Sequence, residues 1–126
     1  MIGNTVTIGK YGEDLAAQYL QEQGFAITKR NYRSGHCEID LIAENDTHIL
    51  FVEVKARTAN PAHVSPYGRP CQAVDARKRR SLIAAARAYI GNGIPGMRFR
   101  FDVIEVYLSP SGKAEKVIHI ENAFTA

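Results

Sequence analysis

The sequence predicts an α/β fold in which helices flank a mixed β-sheet, with the elements in the order α-β-β-β-α-β-β. Three observations predict this fold. Two stretches repeat apolar residues at helical spacing, five others are rich in β-branched and aromatic residues, and glycine or proline marks several of the junctions between them. With 126 residues, the chain is expected to form a single domain over positions 1–126.

The first helix is predicted from about Ile8 to Gln23, because the apolar side chains of this stretch gather on one stripe. Gly24 follows it and supplies a C-terminal stop, since helices commonly end at a glycine in the left-handed conformation. The segment from Phe25 to Tyr32 is rich in strand-forming residues and is the first predicted strand.

The next two strands are predicted from Glu38 to Ala43 and from Ile49 to Lys55, on either side of the polar segment Glu44-Asn45-Asp46-Thr47. The run Ile49-Leu50-Phe51-Val52 is apolar throughout, which is typical of a central strand covered on both faces. The two strands are therefore predicted to pair in the middle of the sheet.

The second half of the chain supplies a loop, a helix and two strands. Residues 57 to 71 contain three prolines and a glycine and predict a long loop. The alanine-rich segment from Ala73 to Ile90 predicts the second helix. The last two strands are predicted from Phe99 to Leu108 and from Lys113 to Ile120, with a turn at Pro110-Ser111-Gly112.

Composition is that of an ordinary globular protein, with 45% hydrophobic and 23% charged residues. The net charge of +3 is compatible with a polyanionic partner without requiring one. Cys37 and Cys71 lack the paired spacing of a disulfide framework, and the histidines and cysteines lack the spacing of zinc ligands. No leader pattern and no apolar run of about 20 residues is visible, so a cytoplasmic protein without a membrane partner is expected.

The two central strands carry the residues of a candidate active site. Because side chains alternate along a strand, an even number of unpaired loop residues places Asp40 and Glu53 on the same face of the sheet. A two-residue loop at Asn45-Asp46 and a four-residue loop from Asn45 to His48 both satisfy this condition. Neighbouring strand positions have Cβ separations of roughly 4.5–8 Å, close enough for two carboxylates to share one cation.

Two adjacent carboxylates repel each other unless a cation compensates them. Mg²⁺ is bound through one or two carboxylates together with waters and substrate phosphate. Lys55 lies on the same face as Glu53 and could orient an attacking water or neutralise charge on a phosphate. This combination predicts metal-assisted phosphodiester hydrolysis. The alternative is a solvated hairpin face on which glutamate and lysine simply pair.

Both predicted helices add candidates. Glu13 borders the buried stripe of the first helix, where it is either a further metal ligand or an acid favoured by the helix dipole. Lys78 lies on the core-facing stripe of the second helix, so it should either extend toward water or meet an acid or a phosphate. Arg77, Arg79 and Arg80 spread over the other faces and form either phosphate contacts or a solvated basic face.

Taken together, the chain resembles the YraN-type family of small bacterial proteins. The residues that carry the likeness run through nearly the whole chain: Gly9-Lys10-Tyr11-Gly12-Glu13, Arg30-Asn31-Tyr32-Arg33, Glu38-Ile39-Asp40-Leu41-Ile42-Ala43, Phe51-Val52-Glu53-Val54-Lys55-Ala56-Arg57, Ala73-Val74, Arg77-Lys78-Arg79 and Arg100-Phe101-Asp102-Val103-Ile104. That family in turn resembles the PD-(D/E)xK nuclease superfamily, archaeal Holliday-junction resolvases in particular. Two positions depart from the usual patterns, since Ile39 replaces the superfamily's proline before Asp40 and Cys37 replaces a glycine common in the family.

The resemblance implies a restriction-endonuclease-like fold and a site that binds Mg²⁺ (or Mn²⁺). It assigns Glu13, Asp40 and Glu53 as metal ligands and groups them with Lys55 as catalytic residues. The basic residues expected to contact nucleic acid are Arg57, Arg77, Lys78, Arg79 and Arg80.

Three functional hypotheses follow. The leading one is an Mg²⁺-dependent endodeoxyribonuclease acting on branched or repair DNA, for which a two-fold homodimer is favoured because two strands must be cut. The second is a non-catalytic nucleic-acid-binding module with the same fold, in which binding depends on the basic helix and not on the carboxylates. The third is an interaction protein without a role in nucleic-acid binding.

Overall fold

The computed structural model describes residues 5–58, 76–111 and 113–124, with backbone alone for residues 5–9 and 58. Within these ranges the elements follow the predicted order and confirm the α/β fold. They are α1 (Thr5–Glu22), β1 (Ala26–Ser34), β2 (Cys37–Glu44), β3 (His48–Thr58), α2 (Ala76–Ile90), β4 (Arg98–Leu108) and β5 (Ala114–Phe124). Neither helix in this part of the chain has the length and apolar character needed to cross a membrane.

The five strands form one mixed sheet in the order β1-β2-β3-β4-β5. The pairs β1–β2, β2–β3 and β4–β5 are antiparallel, and β3–β4 is parallel. A parallel pair needs a crossover connection, and α2 lies within it. The strand with the apolar run, β3, therefore occupies the middle of the sheet, as predicted.

Each face of the sheet is covered by one helix. Alternation along β3 divides its apolar run, so that Leu50 and Val52 pack on the side of α1 while Ile49 and Phe51 pack on the side of α2. The helices contribute their own buried residues, which are Ala16, Ala17 and Leu20 from α1 and Leu82, Ala85 and Ala86 from α2. Burial on both faces explains why β3 has no polar residue between Ile49 and Val52.

Gly12 allows α1 to lie very close to β3. A Cβ atom at Gly12 would lie 2.6 Å from the Cβ atom of Ala56, far inside van der Waals contact. The next residue of α1 is Glu13, and the residue before Ala56 is Lys55. The close approach of helix and strand thus brings two candidate site residues to the same part of the molecule.

Some boundaries differ from the predictions. Arg57 and Thr58 belong to β3, so the prediction that the loop starts at residue 57 is wrong at its first two positions. They stay in the strand because β3 pairs with β4 along its whole length. The remainder of that predicted loop, and residues 73–75 of the second helix, lie outside the described residues. At the end of α1, Gly24 (φ of 94°) provides the predicted stop.

A buried polar network ties β5 to β4 and α1. Arg100 donates to both carboxylate oxygens of Asp102 at 2.9 Å. The Asp102 carboxylate also forms hydrogen bonds with His119 Nε2 and with the backbone N–H of Asn122. The other ring nitrogen of His119, Nδ1, lies 3.1 Å from the Tyr19 hydroxyl. Burial opposes ionisation of Asp102, but these hydrogen bonds outweigh it and hold its pKa below the usual value.

Candidate functional site

The β2–β3 hairpin has the four-residue loop that places the site carboxylates together. Its outermost Cα pair is Glu44 with Ile49, so residues 45–48 are unpaired between β2 and β3, although His48 already belongs to β3 through its pairing with β4. The Asn45 N–H donates to the carbonyl oxygen of His48 at 3.0 Å, and the Asn45 side chain accepts the backbone N–H of His48 at 2.8 Å. The loop is therefore even in length, and the predicted register is confirmed.

Asp40 and Glu53 lie side by side at the inner end of this hairpin. The innermost Cα pair is Leu41 with Val52, and the same register continued by one residue sets Asp40 opposite Glu53. Instead of continuing the ladder, the Asp40 carboxylate accepts the backbone N–H of Val54 at 2.8 Å. Burial, and next the negative charge of Glu53, raise the pKa of Asp40 to about 7.

Glu53 is the centre of an ion cluster. Its side chain is 8% exposed, and its Oε1 atom lies 3.1 Å from Lys55 Nζ and 3.8 Å from Lys78 Nζ. Its Oε2 atom is buried and has no hydrogen-bond partner among the described residues. The side chain of Lys78 extends from the core-facing stripe toward water, since 44% of it is exposed, and its ammonium group meets an acid, Glu53. Both outcomes were among those predicted for this residue.

Glu13 approaches the site from α1. Asn31 has a left-handed backbone (φ of 51°) and, with its NH₂ group turned toward the carboxylates, donates to Glu13 at 3.2 Å and to Glu38 at 2.7 Å. Burial is the main cause that raises the pKa of Glu13. Its charge in turn contributes, after that of Glu53, to raising the pKa of Asp40. Asn31 is a residue that the sequence analysis did not single out.

The donor set suits a hard cation at the Asp40–Glu53 pair. Mg²⁺ typically takes one or two carboxylates and fills its remaining positions with water and phosphate. An unpartnered oxygen on Glu53 and a carboxyl on Asp40 that resists ionisation are both consistent with a position that a cation would stabilise. Within the described ranges no three His, Cys, Asp or Glu side chains form a metal-binding group. The three-ligand set that includes Glu13 stays a prediction.

The predicted phosphate-contacting residues are exposed. They are Arg57 at the end of β3 and Arg77, Lys78, Arg79 and Arg80 in the first described turns of α2. The ion pair between Lys78 and Glu53 joins this basic segment to the carboxylates. A phosphate backbone bound along the start of α2 would thus pass near the cluster.

Cys37 also borders the cluster. Burial raises the pKa of its half-buried thiol. The positive charge of Lys78 lowers that pKa, and the negative charges of Glu53 and Asp40 raise it.

Sequence reasoning missed Glu105. It lies in β4 at the position that pairs with Lys55 of β3, and it is fully buried. The Tyr107 hydroxyl donates to its Oε2 atom at 2.5 Å, and its Oε1 atom has no hydrogen-bond partner in the described part of the chain. A glutamate between Ile104 and Val106 in an apolar strand was the available signal.

Comparison with known proteins identifies relatives along nearly the whole chain. The model described as "Uncharacterised protein family UPF0102" matches residues 12–106. A UPF0102 protein from Chloroherpeton thalassium is 41% identical over 130 residues, covering 98% of this chain and 97% of the relative. A second, from Caldanaerobacter subterraneus subsp. tengcongensis, is 43% identical over 123 residues, covering 96% and 97%.

Among solved structures, the Ca²⁺ complex of Pyrococcus furiosus SfsA is similar with a TM-score of 0.38 and 17% sequence identity. The match covers 94% of this chain and 64% of that chain.

Proposed function

The chain belongs to the uncharacterised UPF0102 family, which is the YraN-type family, and from its carboxylate pair we propose that it is an Mg²⁺- (or Mn²⁺-) dependent endodeoxyribonuclease. The proposed substrate class is branched or repair DNA, and the reaction is hydrolysis of a phosphodiester bond. The observation that carries the proposal is the placement of Asp40 beside Glu53, with Lys55 and Lys78 on the same cluster.

The cluster costs folding free energy, which supports a functional origin. A buried carboxyl whose pKa rises from 3.8 to about 7 lowers the stability of the folded protein as pH increases between these two values, and the loss persists at higher pH. A buried oxygen without a donor, as on Glu53, adds a desolvation cost. Neither feature is needed to fill a core between apolar strands, whereas perturbed carboxyl groups of this kind gather at functional sites.

Asp40 and Glu53 would hold the cation, with Glu13 as the further predicted ligand. The bound cation would supply an activated water and neutralise charge on the phosphate. Lys55 would donate hydrogen bonds to the attacking water or to a phosphate oxygen. The exposed arginines of α2 and Arg57 would bind neighbouring backbone phosphates and so orient the strand.

One observation favours the non-catalytic alternative. Lys55 and Lys78 already compensate one oxygen of Glu53, so part of the cluster is satisfied within the protein. The exposed arginines Arg77, Arg79 and Arg80 would bind phosphates whether or not the carboxylates hold a cation. Under this alternative DNA binding would not depend on the carboxylates, and the protein would not cleave DNA.

The test is cleavage of a four-way DNA junction, and of linear duplex, with Mg²⁺ or Mn²⁺. Asp40→Asn and Glu53→Gln keep side-chain size and are expected to lower the rate at least 100-fold while retaining DNA binding. Asp46→Asn makes the same chemical change at an exposed position of the same hairpin and should leave the rate unchanged. Salt-sensitive binding without metal-dependent cleavage by the unsubstituted protein would support the binding module instead.

A further inference from the structure

Glu105 is a buried glutamate of β4 with a carboxylate oxygen that has no hydrogen-bond partner among the described residues. It has no exposed surface, although glutamate is rarely fully buried without partners. Tyr107 holds one of its carboxylate oxygens, and none of the described residues donates to the other, Oε1. A purely structural carboxylate in such a position would be expected to have both oxygens hydrogen-bonded. The Oε1 atom of Glu105 is therefore able to accept a hydrogen bond from a side chain that moves next to it.

The pairing of β3 with β4 identifies that donor. Lys55 and Glu105 are Cα partners in this parallel ladder, so their side chains leave the sheet on the same face. Glu53 shares this face two residues earlier along β3. Lys55 therefore has one carboxylate along its own strand and another across the ladder. In this structure its Nζ atom lies 3.1 Å from Glu53.

A cation bound to Glu53 would change this balance. It would offset the negative charge of Glu53 that attracts Lys55, and its own positive charge would repel the ammonium group. Glu105, at the position that pairs with Lys55 on the same face, has an Oε1 atom without a hydrogen-bond partner among the described residues and would be able to accept from the ammonium group. A lysine side chain has a flexible four-carbon stem, so the change of partner needs rotamer changes and no backbone movement.

We propose that Glu105 is a positioning residue that receives the Lys55 ammonium group when a divalent cation binds at Glu53. This inference rests on the proposed metal-dependent function. Lys55 carries three donors, so a hydrogen bond to Glu105 fixes its position and leaves two donors for a water or a phosphate oxygen. Tyr107 supports the arrangement because its hydrogen bond to Oε2 restrains the carboxylate and leaves Oε1 available.

The inference is tested by NMR of the lysine side-chain NH₃⁺ groups in ¹⁵N-lysine-labelled protein. The Lys55 signal is assigned with Lys55→Arg and followed as Mg²⁺ is added, while calorimetry measures Mg²⁺ binding to the same samples. In the unsubstituted protein, Mg²⁺ should shift the Lys55 signal and leave its protons protected from exchange with water. In Glu105→Gln, Mg²⁺ should still bind, about tenfold more weakly, because a hydrogen bond between charged groups contributes about 1.5 kcal/mol. The Lys55 protons should then exchange faster than in the unsubstituted protein, because the neutral amide oxygen of glutamine accepts a weaker hydrogen bond than a carboxylate oxygen.

Glu115→Gln is the matched control, since it makes the same change at an exposed position of β5 and should behave as the unsubstituted protein. A crystal structure of the unsubstituted protein with Mn²⁺ tests the same point without a substitution, and should show Lys55 Nζ within hydrogen-bond distance of Glu105 Oε1. If Mg²⁺ binds but Lys55 stays on Glu53, or Glu105→Gln leaves its spectrum unchanged, the positioning role is overturned and the nuclease proposal stands. If neither Mg²⁺ nor Mn²⁺ binds, both are overturned.

Discussion

Replacing Asp40 with asparagine should stabilise the metal-free protein at alkaline pH. The folded structure raises the pKa of Asp40 from 3.8 to about 7, chiefly through burial and then through Glu53. Asparagine keeps an oxygen that can accept the Val54 N–H but carries no charge. The variant therefore removes the cost of ionisation while leaving the hydrogen bond in place.

The sign and the size follow from proton linkage. A carboxyl whose folded pKa is raised contributes stability that is fully present below its unfolded pKa and is lost as pH rises through the folded value. A rise of about three pH units corresponds to about 4 kcal/mol. Because Asp40 is not fully buried, screening by water reduces this, and we expect a loss of about 2–4 kcal/mol relative to the variant between pH 4 and pH 8.

The measurement is urea unfolding of both proteins in EDTA at several pH values between 4 and 8. The free-energy difference between Asp40→Asn and the unsubstituted protein should grow in favour of the variant from about pH 4 to about pH 7 and level off above about pH 7. Asp46→Asn, on the exposed loop of the same hairpin, should show no such growth. Parallel pH curves for the unsubstituted protein and Asp40→Asn would refute the electrostatic coupling of Asp40 with Glu53 and the burial cost assigned to it.

Two further predictions concern the scaffold. Gly12→Ala should lower the free energy of unfolding by about 1–3 kcal/mol, because its Cβ atom would lie 2.6 Å from the Cβ atom of Ala56. The loss is measured as a lower Tm, and an unchanged Tm would mean that α1 does not approach β3 this closely. Asp102→Asn should cost about 3–5 kcal/mol in urea unfolding, because it leaves Arg100 beside a neutral partner in a buried network, whereas the exposed Glu121→Gln should cost less than about 0.5 kcal/mol. A small loss for Asp102→Asn would show that water replaces the carboxylate there.

The order of elements and the hairpin register were predictable because both depend on local periodicity. Alternation along the strands determines which residues share a face, and the parity of the loop then determines whether Asp40 and Glu53 meet. The actual loop of four residues, closed by Asn45, was one of the two lengths that the sequence allowed. Strand ends were less predictable, since β3 continues to Thr58 only because β4 pairs with it there.

The parts of the site that depend on tertiary packing were not predictable. The sequence indicated that Lys78 would extend toward water or meet an acid or a phosphate, but only the packing of α2 against the sheet identifies Glu53 as the partner. The importance of Glu105 depends on its alignment with Lys55 across a parallel ladder between strands that are distant in sequence. Asn31 donates to Glu13 and Glu38 from a left-handed backbone conformation. Hydrophobic periodicity does not predict such a conformation at a single residue.

Charge balance links these observations. Three carboxyl side chains, Asp40, Glu53 and Glu105, lie on adjacent positions of β2, β3 and β4, and two lysines, Lys55 and Lys78, contact Glu53. If every group were ionised, the cluster would carry an excess negative charge. A proton on Asp40 removes that excess below pH 7, and a divalent cation would remove it above. The proton and the cation therefore compete for the same carboxylates, so binding of Mg²⁺ should strengthen as pH rises through about 7.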